Sequence, residues 1–291
     1  MKTRKPIAFL ITDLDDTLWD WLEIWHAGFR PFLDAVSQKL QLPAEKLKTE
    51  IREIHQAEGT SEYSFLLGKM PSVRERFAPD EIVEQFRDAI LAHREGRRRA
   101  TRLFPGVLKT LMELKSKGVV LVAYSDSLSF YSKRRIRNTN LDGVLDFAYF
   151  PPDHGPPPAL ELGDVREMPG DYYELSKTQV RLTPKGKSKP APEILKKILN
   201  DLSADEDEVL YIGDDVRKDV GMAQAVGVHD VFANYRPEKH DLPSYQLLRE
   251  VSHWTDEMVK LDRLIRKPEK EPTAELGRGF HQLTEIFEFG R

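Results

Sequence analysis

Two hydrophobic rhythms run along the chain. From Ile7 to Ile11 apolar residues follow one another without a break, as in a short strand buried on both faces. From Trp19 to Arg102 the period lengthens: Trp21, Ile24, Trp25, Phe29, Phe32, Leu33 and Val36 recur at helical spacing, as do Leu47, Ile51 and Ile54. Pro79-Asp80-Glu81 reads as a helix start ahead of Ile82, Val83, Phe86 and Ile90. This stretch therefore predicts about four helices and no strand.

After it, short apolar runs alternate with helical patterns. A helix through Leu108, Leu111, Met112 and Leu114 stops at Lys117-Gly118, and Val119 to Tyr124 is a strand. A helix to about Thr139 follows, then a short strand over Phe147 to Phe150. Pro192 to Leu202 reads as a helix, Val209 to Ile212 as a strand, Asp219 to Val226 as a helix closed by Gly227, and Val228 to Ala233 as a strand. Strands alternating with helices predict an α/β fold, a Rossmann-like parallel sheet with right-handed crossovers. The expected organisation is an α/β core over 1–18 and 103–235, with residues 19–102 as an inserted α-helical cap. Residues 151–188, rich in proline and glycine, are too long for a simple connection. Within them Tyr172 to Leu182 has room for a strand, as part of a β-hairpin excursion. Residues 236–291 read as a charged, mostly helical extension. Tyr245, Leu248, Val251, Trp254, Met258, Leu261 and Leu264 mark one amphipathic helix there, and Lys267 to Pro272 a linker.

Composition narrows the classes without choosing one. With 291 residues, 40% hydrophobic and 32% charged, the chain is an ordinary soluble globular protein. A formal net charge of −4 gives no electrostatic ground for a nucleic-acid or membrane partner. The absence of cysteine excludes disulfides, thiolate metal sites and cysteine nucleophiles, and fits a cytoplasmic location. The apolar run behind the basic first residues is short and meets Asp13, which makes it a strand rather than a signal peptide; no run approaches transmembrane length.

The chemistry lies at the strand ends. The first strand runs into Asp13-Leu14-Asp15-Asp16-Thr17; Val209 to Ile212 runs into Gly213-Asp214-Asp215, with Asp219 shortly after. A carboxylate at the end of a buried strand must be paired or bind a metal. Ligands of open α/β folds also bind at the carboxyl ends of their strands. Two such ends predict one shared acidic site, with hard oxygen donors suited to Mg²⁺.

These motifs resemble those of the haloacid dehalogenase superfamily, over residues 6 to 18 and 103 to 235. Asp13-Leu14-Asp15-Asp16-Thr17 is similar to its DxDxT, Ser125 to its serine/threonine, Lys189-Pro190-Ala191-Pro192 to its lysine motif, and Gly213-Asp214 with Asp219 to its acidic motif. The resemblance implies a Mg²⁺-dependent phosphatase with a C1-type helical cap. In that scheme Asp13 attacks phosphorus and forms an aspartyl-phosphate. Asp15 is the general acid and base. Ser125 and Lys189 hold the phosphoryl oxygens. The metal sits among Asp13, the Asp15 backbone carbonyl and Asp214, with Asp219 as a further or water-mediated partner. Each has a plainer alternative: a solvated turn and helix cap for Asp13 and Asp15, caps for Asp214 and Ser125. Asp16 reads as a turn residue directed away. Lys185 and Lys187 lie close to Lys189, which is preferred because it directly precedes Pro-x-Pro and the next helix. Trp19, Trp21, Trp25 and Phe29 read mainly as packing. Arg94, Arg97, Arg98, Arg99 and Arg102 read as a solvated face, or as one arginine on an anionic substrate.

The expected substrate is a small phosphorylated metabolite. A phosphomutase, or a polynucleotide or phosphoprotein phosphatase, would use the same core. A phosphonate hydrolase would need a cap lysine, and nothing singles out Lys46, Lys48 or Lys69. A binding protein on a retired phosphatase core is the alternative of a different class.

Overall fold

A computed structural model describes residues 5–155, 170–236, 238–264 and 271–290. Seven strands form one sheet: β1 (Phe9–Thr12), β2 (Val120–Tyr124), β3 (Phe147–Phe150), β4 (Gln179–Leu182), β5 (Val209–Gly213), β6 (His229–Ala233) and β7 (Ala274–Leu276). Their order is β4-β3-β2-β1-β5-β6-β7, and every pair is parallel. The chain builds outward from β1 to one edge, returns, and builds to the other from β5. The switch point thus falls between β1 and β5, where an open α/β sheet leaves its crevice. Register pairs Thr12 with Ile212, so the carboxylates that follow each strand emerge side by side.

The unbroken apolar character of β1 has a direct cause. Leu10 faces a cluster with Val107, Leu111, Leu114, Phe280 and Leu283, while Phe9 and Ile11 face another with Ile194, Leu195, Ile198 and Tyr211. Alternate side chains of one strand are thus buried on opposite faces of the sheet.

Seven helices lie between β1 and β2; Val107–Ser116 packs on the sheet, and the six before it form the insertion, Trp21–Leu40, Ala44–Glu58, Leu66–Lys69, Pro71–Arg74, Ile82–Gln85 and Arg87–Ala100. The two extra to the expected pattern, Leu66–Lys69 and Pro71–Arg74, are four-residue turns, too short for a readable period. The first and last of the six cross closely because glycines sit at the contact. A Cβ at Gly96 would lie 1.9 Å from the Ala27 carbonyl oxygen, and one at Gly28 2.5 Å from Arg97 Cγ.

Three expectations are corrected. Gln179–Leu182 is not part of a hairpin: it lies parallel to β3 as an edge strand of the main sheet. Residues 236–291 are not simply a helical extension, since Ala274–Leu276 supplies the opposite edge strand. The long amphipathic helix is two, Pro243–Val251 and Asp256–Leu264, interrupted at Ser252 to Thr255. Most of the expected linker over Lys267 to Pro272 lies outside the described residues.

The segment after β6 is bound into the rest of the molecule. Tyr245, Leu247, Leu248 and Val251 join the apolar cluster of the inserted helices, with Trp25, Phe32, Leu47 and Ile51. His55 Nδ1 donates to the Val251 carbonyl at 2.7 Å. Further on, the Ile7 N–H donates to the Glu288 carbonyl at 2.9 Å and the Gly290 N–H to the Ile7 carbonyl at 3.1 Å.

The buried His55 carries a pH signature. Burial pushes its pKa down to about 4, against a partial opposing effect of its bond to Val251. The unfolded chain binds the proton below about pH 6.5 while the folded chain refuses it until about pH 4. Stability is therefore complete above pH 6.5 and falls through that window, by up to about 3 kcal/mol from this group. Urea titrations between pH 4 and 7 should show a shallower decline for His55→Gln than for wild type; equal slopes would assign the decline to other groups.

Candidate active site

Asp13 leaves β1 at the switch point and is held from both ends. Its N–H donates to the Ile212 carbonyl at 2.8 Å, and its Oδ1 accepts from Lys189 Nζ at 2.5 Å. Thr17 Oγ1 donates to Oδ2 at 3.3 Å. Lys189 also donates to Asp219 Oδ1 at 2.7 Å. Its backbone N–H is fixed by Asp126 Oδ1 at 2.9 Å, just before the helix at Pro192–Leu202. Lys185 and Lys187 are exposed, and Lys187 lies 3.8 Å from Glu193. Geometry thus selects Lys189 as the lysine beside the carboxylates.

Asp219 is fully engaged: Lys189 and Tyr211 (3.0 Å) donate to one oxygen, and the Asp215 N–H (3.1 Å) to the other. Only a glycine fits beside it, because a Cβ on Gly213 would lie 2.2 Å from Asp219 Cγ. Carboxylate oxygens of Asp13, Asp214 and Asp219 all lie within 4.8 Å of one another. Lys189 pairs with Asp13 and Asp219, while Arg236 lies 3.7 Å from Asp214. Burial pushes the Asp13 carboxyl up to about 7, although Lys189 pulls it down. Burial likewise raises Asp214, with Lys239 opposing. Lys189 stays a cation, because the pull of Asp13 and Asp219 outweighs its own burial.

Asp15 stands apart from this trio. Its carboxylate accepts from Trp19 Nε1 at 2.6 Å, Ser127 Oγ at 2.5 Å and Arg135 Nη1 at 3.0 Å. Its side chain is thus engaged away from the cluster of Asp13, Asp214 and Asp219. Arg135 is buried, and its other nitrogen donates to Glu62, which also accepts from Arg97. Burial would raise the Glu62 carboxyl, but Arg135 and Arg97 bring it down to about 2. An ionic chain Asp15–Arg135–Glu62–Arg97 therefore runs from the strand end into the inserted helices.

Ser125 follows β2 and is buried; its Oγ accepts the Ser127 N–H at 3.1 Å. Among the described residues no hydrogen bond joins it to the carboxylates. Asp16, with a positive φ of 63°, forms the expected turn, yet its carboxylate is engaged. It accepts the Trp21 N–H at 3.0 Å, pairs with Arg236, and lies 3.7 Å from Lys239.

A model of the haloacid dehalogenase-like hydrolases matches residues 7–227. The chain belongs to this family. Similar folds include the 2-haloacid dehalogenase of Pseudomonas syringae pv. tomato, 20% identical over 96% of this chain and 97% of that one, with a TM-score of 0.55. A Bacillus subtilis protein assigned to the HAD hydrolases, in a magnesium-bound crystal form, is 15% identical over 97% and 99%, with a TM-score of 0.51. A HAD phosphatase of Thermococcus onnurineus is 16% identical over 96% of each chain, with a TM-score of 0.50. No curated protein matches the chain. Among the described residues of this HAD-like hydrolase, no helix is long and apolar enough to cross a membrane.

Several residues around the site carried no readable signal. Arg135, Ser127, Tyr211, Arg236, Lys239 and Glu62 reach it through tertiary contacts alone. Of the arginine run, Arg97 is drawn inward to Glu62, whereas Arg98 and Arg99 pair with Glu95 in solvent. Trp19 is packed as expected, but its indole N–H also orients Asp15.

Proposed function

We propose that this HAD-like hydrolase is a Mg²⁺-dependent phosphatase acting on a small phosphomonoester through an aspartyl-phosphate on Asp13. The observation that carries the reading is Asp15. A halide leaves without a proton, so a dehalogenase has little use for a second acid beside the nucleophile. A phosphate ester expels an alkoxide, which needs one. Here that second carboxylate is present two residues after Asp13 and is held in place by Trp19, Ser127 and Arg135.

The donor set suits magnesium: hard carboxylate oxygens in close convergence. Asp219 is saturated by Lys189, Tyr211 and the Asp215 N–H, so Asp13, Asp214 and the Asp15 carbonyl would hold the ion. Asp219 would fix the lysine. Bound Mg²⁺ would neutralise the phosphate charge that otherwise repels Asp13. The magnesium in the Bacillus neighbour supports the same choice.

Asp13 then attacks phosphorus, the ester P–O bond breaks, and Asp15, protonated for this half-reaction and so released from its ion pair with Arg135, delivers that proton to the leaving oxygen. In the second half Asp15 takes a proton from water, which attacks the phosphoryl group and releases Asp13. Lys189 and Ser125 hold phosphoryl oxygens through both steps. The inserted helices act as a cap that excludes water during attack.

Turnover of p-nitrophenyl phosphate, with Mg²⁺ and with chelator, tests the proposal. Metal-dependent hydrolysis and a beryllofluoride adduct on Asp13 are expected. Absence of both would overturn it.

A further inference from the structure

A cavity lies between the inserted helices and the helix Ser129–Asn138. Its walls include Phe29, Phe65 and Leu66 on one side and Phe130, Tyr131 and Tyr173 on the other. Arg135 forms part of the lining and also touches Asp15 at 3.0 Å, so a single side chain separates this space from the proposed proton donor. That adjacency makes it the natural place for the part of a substrate beyond its phosphoryl group.

The charge balance of the lining is uneven. Arg97 and Arg135 are matched by Glu62 and Asp15, two cations against two anions in one chain of ion pairs. Glu62 is the single acidic residue of the lining among the described residues. Of the other arginines in the lining, Arg94 and Arg98 belong to the helix Arg87–Ala100, with Arg98 paired to Glu95, and Arg134 is the neighbour of Arg135 on the helix Ser129–Asn138. It is half-buried, its guanidinium sits 5.5 Å from the Phe130 ring centroid, and among the described residues no carboxylate pairs with it. Burial and the nearby Arg97 both lower its pKa. A part-buried cation is costly unless an anion meets it.

We propose that this cavity is the leaving-group pocket and that Arg134 binds a second anionic group there. The substrate is then a phosphomonoester of an aromatic or otherwise apolar alcohol that also carries a carboxylate or a second phosphate. The inference rests on the phosphatase reading for the word substrate, but not for the binding itself. Arg134 is a specificity residue: an aromatic wall takes the body of the ligand and a planar cation takes its anion.

Two measurements separate the two readings. In chelator, where no turnover occurs, the protein is titrated calorimetrically with 3-hydroxybenzoate and with phenol. With Mg²⁺, kcat/KM is compared for 3-carboxyphenyl phosphate and phenyl phosphate. Wild type should favour the carboxylate in both by about tenfold or more. Arg134→Gln should abolish that preference, and Arg134→Lys should restore part of it, because the charge survives without the fork. Carboxylate preference in binding, with no turnover of either ester, would support the pocket while the phosphatase reading fails. Equal turnover of both esters with no carboxylate preference in binding would overturn the pocket and leave the phosphatase standing. The wild-type comparison decides the matter even if a variant does not fold.

Discussion

Asp13→Asn is expected to lower kcat/KM on any phosphomonoester by on the order of a thousandfold or more, because it removes the nucleophile while leaving its surroundings intact. Asparagine keeps an oxygen for Lys189 to donate to, so the fold should survive, and a melting curve checks this. Asp15→Asn gives a more discriminating result. If Asp15 protonates the leaving oxygen, its loss should cost about a hundredfold or more on an alkyl phosphate. The cost should be markedly less on p-nitrophenyl phosphate, whose leaving group needs little help. A loss independent of leaving group would remove Asp15 from that role, whatever the fate of Asp13.

The second large effect is structural. Glu62→Gln should destabilise the protein by about 3–5 kcal/mol, since it strips the part-buried Arg97 of its carboxylate and leaves the buried Arg135 with Asp15 alone. The midpoint of urea unfolding reads the loss. Adding Arg97→Gln to the same chain should recover part of it, because the second substitution removes the cation left without its carboxylate. If the two losses simply add, the ionic chain is not the unit described above. Arg135 is less suited to this test, because its replacement also frees Asp15.

What could be read in the sequence, and what could not, divides by the range of the interaction. Asp13, Asp15, Asp214 and Asp219 were legible because each sits at or just beyond the end of an apolar run, and a local pattern suffices to place a strand end. The acidic cluster of Asp13, Asp214 and Asp219 follows from the pairing of β1 with β5. Lys189 was legible only by its neighbours Pro190 and Pro192; its geometry separates it from Lys185 and Lys187. Glu62 had no local signal. It is one charged residue in a connection between helices, and its burial depends on two arginines far along the chain. Arg134 and Arg135 are consecutive on one helix and both line the cavity, yet only Arg135 meets carboxylates among the described residues, a difference no periodicity encodes. Ala274–Leu276 is three residues long, too short to show alternation, and becomes a strand because β6 offers it an open edge. Gln179–Leu182 was read as a hairpin arm for a related reason: proline and glycine nearby suggest a turn, whereas the unpaired edge of β3 decides the direction.

The seam between Ile7 and residues 288–290 bears on how the molecule is made. A polypeptide emerging from the ribosome exposes the first strand early, yet the backbone partners of Ile7 are among the last described residues to be synthesised. The helix Pro243–Val251, which covers the inserted helices, and β7, which closes the sheet, also come late. Neither the sheet nor the helical insertion can bury all of its apolar surface while translation is under way. The nascent protein must hold exposed, aggregation-prone surface until residues 288–290 have been made, which is the kind of surface that chaperones shield.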